Sequence, residues 1–364
     1  MTSSSVVNTR PSPPTSPAPR PSRAAAAAGV LRRTLTLGVL ACVIASFGLT
    51  LGTRAEADRP RTFSEKALNE AFATVRILAA EADALAASGT GASTGEMQRQ
   101  AQTLKDQALL LTSPGGAAAH AAALQSPGSE EGAYPAAMES AARANLEAAG
   151  RADYGTARLL ASVGTAQLLL AERAGDVLGV PVETAGESQW TPVLDEETTV
   201  RCTTSGDASA RTELRDRPGA AEALQSALDA EYGAVYAYEV AQAQSSGTAT
   251  VLGEALAGRR TAHLEAGRSG VELLPALCLP KVSPVPAYSL SAGFFTDPAR
   301  SLAGMEAALP AVYADLVGSS DGAVRSWAID RLVEASRLVY AGAGTVPASP
   351  GLDAEPAALP WVDG

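Results

Sequence analysis

The sequence is short of the residues from which most recognisable active sites are built. Across 364 residues there are two histidines and three cysteines, and aromatic side chains make up 4%. So little cysteine excludes a disulfide-dense scaffold, and no Cys/His cluster has the ligand spacing of a zinc site. Few aromatics beside abundant alanine mean cores of Leu, Val and Ala, which suit closely packed helices better than a sheet. A basic face is also missing: the net charge is -11, which argues against nucleic acid, because neutralising phosphates needs a positive surface. No nucleophile triad, phosphate-cradling glycine loop or redox pair of cysteines occurs. The expectation is an all-α chain, long enough for two domains that each bury a core.

Residues 1–53 carry Arg10, Arg20, Arg23, Arg32 and Arg33 but no Asp, Glu or Lys. Residues 1–33, rich in Ser, Pro and Ala, read as a disordered basic lead on the cytoplasmic side. The uncharged run 34–53 is apolar enough to enter a membrane as a helix of about 20 residues. Two outcomes fit the segment 34–57: an uncleaved signal anchor, or a signal peptide cut after Ala57, where Ala55-Glu56-Ala57 has the small-x-small form. The chain is then either a cell-membrane protein with extracytoplasmic C-terminal domains or a secreted one. Beyond the membrane segment only Cys202 and Cys278 remain, and two exported cysteines are expected to pair. Their bridge would close a loop of about 76 residues and contribute on the order of 4 kcal/mol in the chain-entropy model.

Residues 58–179 read as an N-terminal helical bundle of about four helices. Thr62-Phe63-Ser64-Glu65 and Ser93-Thr94-Gly95-Glu96 have the form of capping boxes. Apolar residues then recur at helical spacing from Leu68 and from Met97. His120 lies among alanines with no ligand partner and reads as a solvated or packing residue. Periodicity disappears over 180–218, an interdomain linker, and returns over 219–342. Residues 343–364 read as a disordered Pro-rich tail.

In the second domain Leu224, Leu228, Glu231, Val235 and Tyr238 share one helix face, which puts the Glu231 carboxylate where a core residue belongs. The turn at Gly247 is short, so this helix and the next are antiparallel neighbours. Both rise about 1.5 Å per residue, so Glu231 is level with His263, with Arg259 one turn earlier on the same stripe. One reading is a buried carboxylate neutralised by Arg259 or His263; the other is a pair of metal ligands or an acid/base pair. A proline-rich connection leads to a helix capped by Asp297 with Pro298 first, and a last helix follows from Gly322. The long connection predicts a crossover along the bundle, which gives four helices a ferritin-like topology.

The stretch ALQSALDAEYGAVYAYEV, the helix around GRRTAHLEAGR, the PAYSL...TDP connection and the following SLAGMEAALPAVYADLV together resemble the exported bacterial ferritin-like domain family of unknown function, over roughly 219–340. By this resemblance Glu231 and His263 fall at polar positions that recur in the family, with Tyr232 where a histidine is common. Ferritin-like di-iron proteins need a carboxylate on two helices and Glu-x-x-His on the other two. Here Arg260 stands three residues before His263, and Glu334 is followed three later by Arg337. Glu306, Asp330 and Glu334 remain, with Arg331 and Arg337 as helix-surface partners. The reading is an exported, non-catalytic structural or binding module of the cell envelope with no resident cofactor. The alternative is a degenerate iron- or manganese-binding protein or oxidase using Glu231, His263 and Glu306. A third reading makes Tyr232, Tyr236 and Tyr238 the lining of a small-molecule cavity.

Overall fold

Thr62 turns the chain into its first helix through reciprocal hydrogen bonds. Its hydroxyl accepts from the Glu65 amide at 3.2 Å, and its own amide donates to the Glu65 carboxylate at 2.7 Å. The structure, a computed structural model, describes residues 61–89, 91–112, 132–182, 219–245, 250–281, 285 and 287–352. Their α-helices are α1 (Phe63–Ser88), α2 (Ala92–Leu111), α3 (Ala133–Arg151), α4 (Tyr154–Leu178), α5 (Ala220–Gln244), α6 (Thr250–Val271), α7 (Ala292–Thr296), α8 (Pro298–Ser319) and α9 (Gly322–Tyr340). No strand occurs among the described residues, and none of their helices is long and apolar enough to cross a membrane. The segment 34–57, the basic lead, His120, Cys202 and nearly all of the linker lie outside the described residues.

The second capping box is not used. Helix α2 starts earlier, behind Gly91 at φ 69 with no side-chain cap. Glu96 is buried and accepts hydrogen bonds from Gln100 and Arg99 instead. Core geometry has claimed the acid that local sequence offered to the helix end.

Helix α4 decides how the two helical groups meet. Its run Leu160–Ala171 is apolar or small except for Gln167, whose amide is satisfied by Asn145 and Gln107, and every residue in it is buried. A helix without a polar face has to be enclosed on all sides. It packs on α1, α2 and α3 and also on α8 and α9. One hydrophobic cluster therefore contains Val75, Leu104 and Leu160 together with Leu224, Leu316 and Leu332. The described parts of the two groups share one core, where the sequence suggests one core each. Polar links reinforce it: Arg337 grips Glu172 at 2.7 Å, and buried Arg325 donates to the carbonyls of Ala149 and Ala152 at 3.3 and 2.7 Å.

Within the second group α5 packs on α6 and α8, and α9 packs on α6 and α8. The four long helices thus form a closed ring of neighbours. Glu231 meets Tyr313 and Tyr238 meets Glu306, so residue numbers run oppositely along α5 and α8 and the two are antiparallel. Gln242 meets Gly253 and Glu231 meets His263, so α6 is antiparallel to α5 and α8 runs in the same direction as α6. The connection between α6 and α8 therefore returns along the length of the bundle.

The tail expected to be disordered from 343 is ordered as far as 352. Thr103 and Gln107 on α2 donate to the carbonyls of Val346 and Ala348 at 3.3 and 3.1 Å, and Arg173 donates to that of Ala343 at 2.7 Å. Val346 joins the core. This segment has no helix or strand period because it is held through its backbone, which side-chain patterning does not reveal. Gly351 ends it at φ 82, against the Pro310 carbonyl, where a Cβ would lie 2.3 Å from the oxygen. Gly351→Ala is expected to cost about 1–3 kcal/mol from left-handed strain and overpacking. Denaturant midpoints would show it, and an unchanged midpoint would mean that the strap contributes nothing to stability.

Candidate functional site

Helices α5, α6 and α8 each place one buried ionisable side chain at the same level of the bundle. Glu231, His263 and Glu306 are 2%, 6% and 8% exposed. His263 Nδ1 lies 2.8 Å from Glu231 Oε2, and its Nε2 lies 3.1 Å from Glu306 Oε1. Both ring nitrogens face carboxylates, an arrangement satisfied when both carry protons. Two phenols complete the shell: Tyr238 donates to Glu306 Oε1 at 2.5 Å, and Tyr313 donates to Glu231 Oε1. The Tyr238 ring stacks on the imidazole, with centroids 5.4 Å apart. Trp327 closes the far side, edge-on to Tyr313 and donating to Ser269 at 2.9 Å.

Burial by itself would drive the His263 ring neutral. The hydrogen bonds and charges of Glu231 and Glu306 outweigh it and raise the pKa to about 10, so the ring is an imidazolium at neutral pH. Burial likewise opposes ionisation of Glu306, yet His263, the Tyr238 hydroxyl and the Arg259 charge together hold its carboxyl below the usual range. Burial and the adjacent carboxylates push the Tyr238 and Tyr313 phenols up, which keeps both as donors.

Of the two partners the sequence offers Glu231, the structure brings His263 to it. Arg259 is exposed, does not pair with Glu231, and makes no hydrogen bond or ion pair among the described residues. Glu306 joins the pair from α8. Glu334 lies at the edge, more than a third exposed and paired with Arg331. Arg337 turns away to α4. Of the three tyrosines, Tyr238 lines the site; Tyr232 lies over Gly267, and Tyr236 packs against Tyr288 with centroids 6.2 Å apart. Tyr313 is absent from the sequence reading, although it stands seven residues after Glu306 on the same helical face, the spacing that would have flagged it.

Two spaces adjoin the triad. A cavity of about 60 Å³ is lined by Glu231, His263, Glu306, Tyr313 and Arg331 among others. A groove of about 390 Å³ reaches Tyr238 and Glu306 between apolar walls from α6, α8 and α9. Arg259, Glu306 and Leu338 border both. Glu306 Oε2 is buried with no hydrogen-bond partner. No group of three or more His, Cys, Asp and Glu side chains among the described residues has the arrangement to hold a metal ion. Away from the site, Cys278 is disulfide-bonded.

The model of a family described as a domain of unknown function (DUF4439) matches residues 223–354. The match takes in α5 to α9 and the docked strap. No curated protein and no solved structure matches the chain.

Proposed function

We propose that residues 219–342 form a ferritin-like bundle in which a protonated histidine clamped by two carboxylates occupies the place of a metal centre. The chain then acts in the cell envelope as a non-catalytic structural or binding module. The closed ring of helices and the connection returning along the bundle support the topology. The observation that carries the functional reading is His263, whose two ring nitrogens both face carboxylates. A metal ligand needs a lone pair on one of them. A di-iron centre does not fit these residues, since the bundle offers one imidazole and Glu334 is drawn off by Arg331. Export through the run 34–53, anchored or cleaved after Ala57, and a bridge from Cys278 to Cys202 are parts of the same proposal.

The test is metal analysis of the purified full-length chain. Sub-stoichiometric iron and manganese are expected after incubation with either ion and desalting; one equivalent or more retained would overturn the reading. A second reading has one observation in its favour: Glu231, His263 and Glu306 do converge. If they form a degenerate metal or oxidase site, Glu231→Ala and His263→Ala must each lower metal content or oxygen consumption.

A further inference from the structure

We propose that the groove between the four long helices of the second group binds a small zwitterion with an aliphatic body, of the kind represented by leucine, its ammonium on Glu306 and its carboxylate on Arg259. This rests on the reading that the triad holds no metal, because a cation at Glu306 would take the same oxygen.

Three independent features converge. The first is the Glu306 Oε2 atom, buried without a partner on a side chain that is 8% exposed. A buried acceptor left unpaired is costly, so the site gains from a ligand that supplies a donor. Its other oxygen is already taken by Tyr238 and His263. That fixes the carboxylate's orientation and leaves one direction for an incoming N–H. The carboxylate is ionised, and an ammonium therefore suits it better than a hydroxyl.

The second feature is Arg259. It borders both spaces, is exposed, and makes no hydrogen bond or ion pair among the described residues. The neighbouring Arg260 by contrast holds Glu239 at 3.0 Å. A free guanidinium at the mouth of a groove is suited to two-pronged recognition of a carboxylate. Its charge already reaches Glu306, so the two ends of one small molecule can engage both groups.

The third is the wall between them. Leu256, Leu302, Leu338 and Val339 line it, with Ala299 and Ala303 on the α8 side. The volume of about 390 Å³ lies at the small end of ligand pockets. Aliphatic walls with one acceptor inside and one cation at the rim match an apolar side chain carrying both charges. They do not match a fatty acid, whose inner end would meet Glu306 with a methyl group.

Calorimetric titration of the full-length chain with L-leucine, N-acetyl-leucine and isoamylamine tests this. Leucine is expected to bind saturably with one site. Loss of either charged end is expected to weaken binding roughly 10- to 100-fold, the worth of one charge-assisted hydrogen bond. Arg259→Ala changes an exposed residue and should bring leucine and isoamylamine to the same affinity. Ala303→Trp, at an exposed groove position, should abolish binding while leaving the unfolding midpoint unchanged. No saturable leucine binding, equal affinity for the three compounds, or binding indifferent to Ala303→Trp would each overturn the proposal. Metal analysis of the same sample separates the two failures: metal-free protein that ignores leucine refutes the zwitterion alone, whereas stoichiometric metal refutes the reading beneath it.

Discussion

Replacing His263 with alanine is expected to lower the unfolding free energy by about 3–5 kcal/mol, the usual cost of removing one partner from a buried ionic network. The loss has two sources. Glu231 and Glu306 are left facing each other without the cation between them, and the stacking partner of Tyr238 is replaced by empty space. Protonation of the orphaned carboxyls relieves part of the first. The Glu231→Gln/Glu306→Gln background removes that source, so adding His263→Ala to it should cost clearly less than in the wild type. Urea unfolding of the wild type and these three variants gives the coupling energy. A cost below about 1 kcal/mol for the single change would mean that the clamp does not hold the bundle together, which would also remove the structural role proposed for it.

Stability should follow a dome in pH, set by the same residues. The His263 pKa is raised from 6.5 to about 10 in the folded chain. A group raised on folding contributes fully below its unfolded value and loses that contribution as pH climbs through the folded one. The alkaline side of the dome should therefore fall between about 6.5 and about 10, by several kcal/mol in order of magnitude. Glu306 is lowered from 4.5, so its contribution is complete above that value and disappears as pH drops below it. Glu231 and Glu306 bond to the ring and Tyr238 stacks on it, while Tyr313 bonds to Glu231 and the Arg259 charge acts on Glu306. Both phenols are pushed up rather than down, so neither titrates inside the alkaline window. Denaturant midpoints measured at half-unit intervals check the profile. His263→Gln should flatten the alkaline limb, and a limb unchanged in that variant would assign the decline to other groups.

Much of the site was legible from periodicity alone. A glutamate in an apolar stripe and a histidine equidistant from a short turn have to meet, because two antiparallel helices rise equally per residue. Glu306 could be suspected only as one acid among several. Its selection depends on which face α8 turns inward, and that follows from packing against α5 rather than from any local pattern. Tyr313 went unread because a tyrosine among leucines looks like core, and only the opposing carboxylate gives its hydroxyl a purpose. The second capping box misled for a related reason: Glu96 satisfies a local rule and a buried hydrogen bond equally well on paper, and the core decided between them.

The amino-acid sequence by itself determined the helical class, the antiparallel pairing of α5 with α6, the capped starts at Thr62 and Asp297, and the lack of a second imidazole that a di-iron centre would require. Each of these is local, resting on composition or on spacing along one or two helices. The tertiary structure alone decided that α4 would be enclosed by both helical groups, that residues 343–352 would be held by their carbonyls, and that His263 would be shared between two carboxylates instead of one. Those outcomes join residues between about 40 and 240 positions apart. They depend on which surfaces bury one another, and burial is a property of the assembled helices that no single stretch of sequence carries.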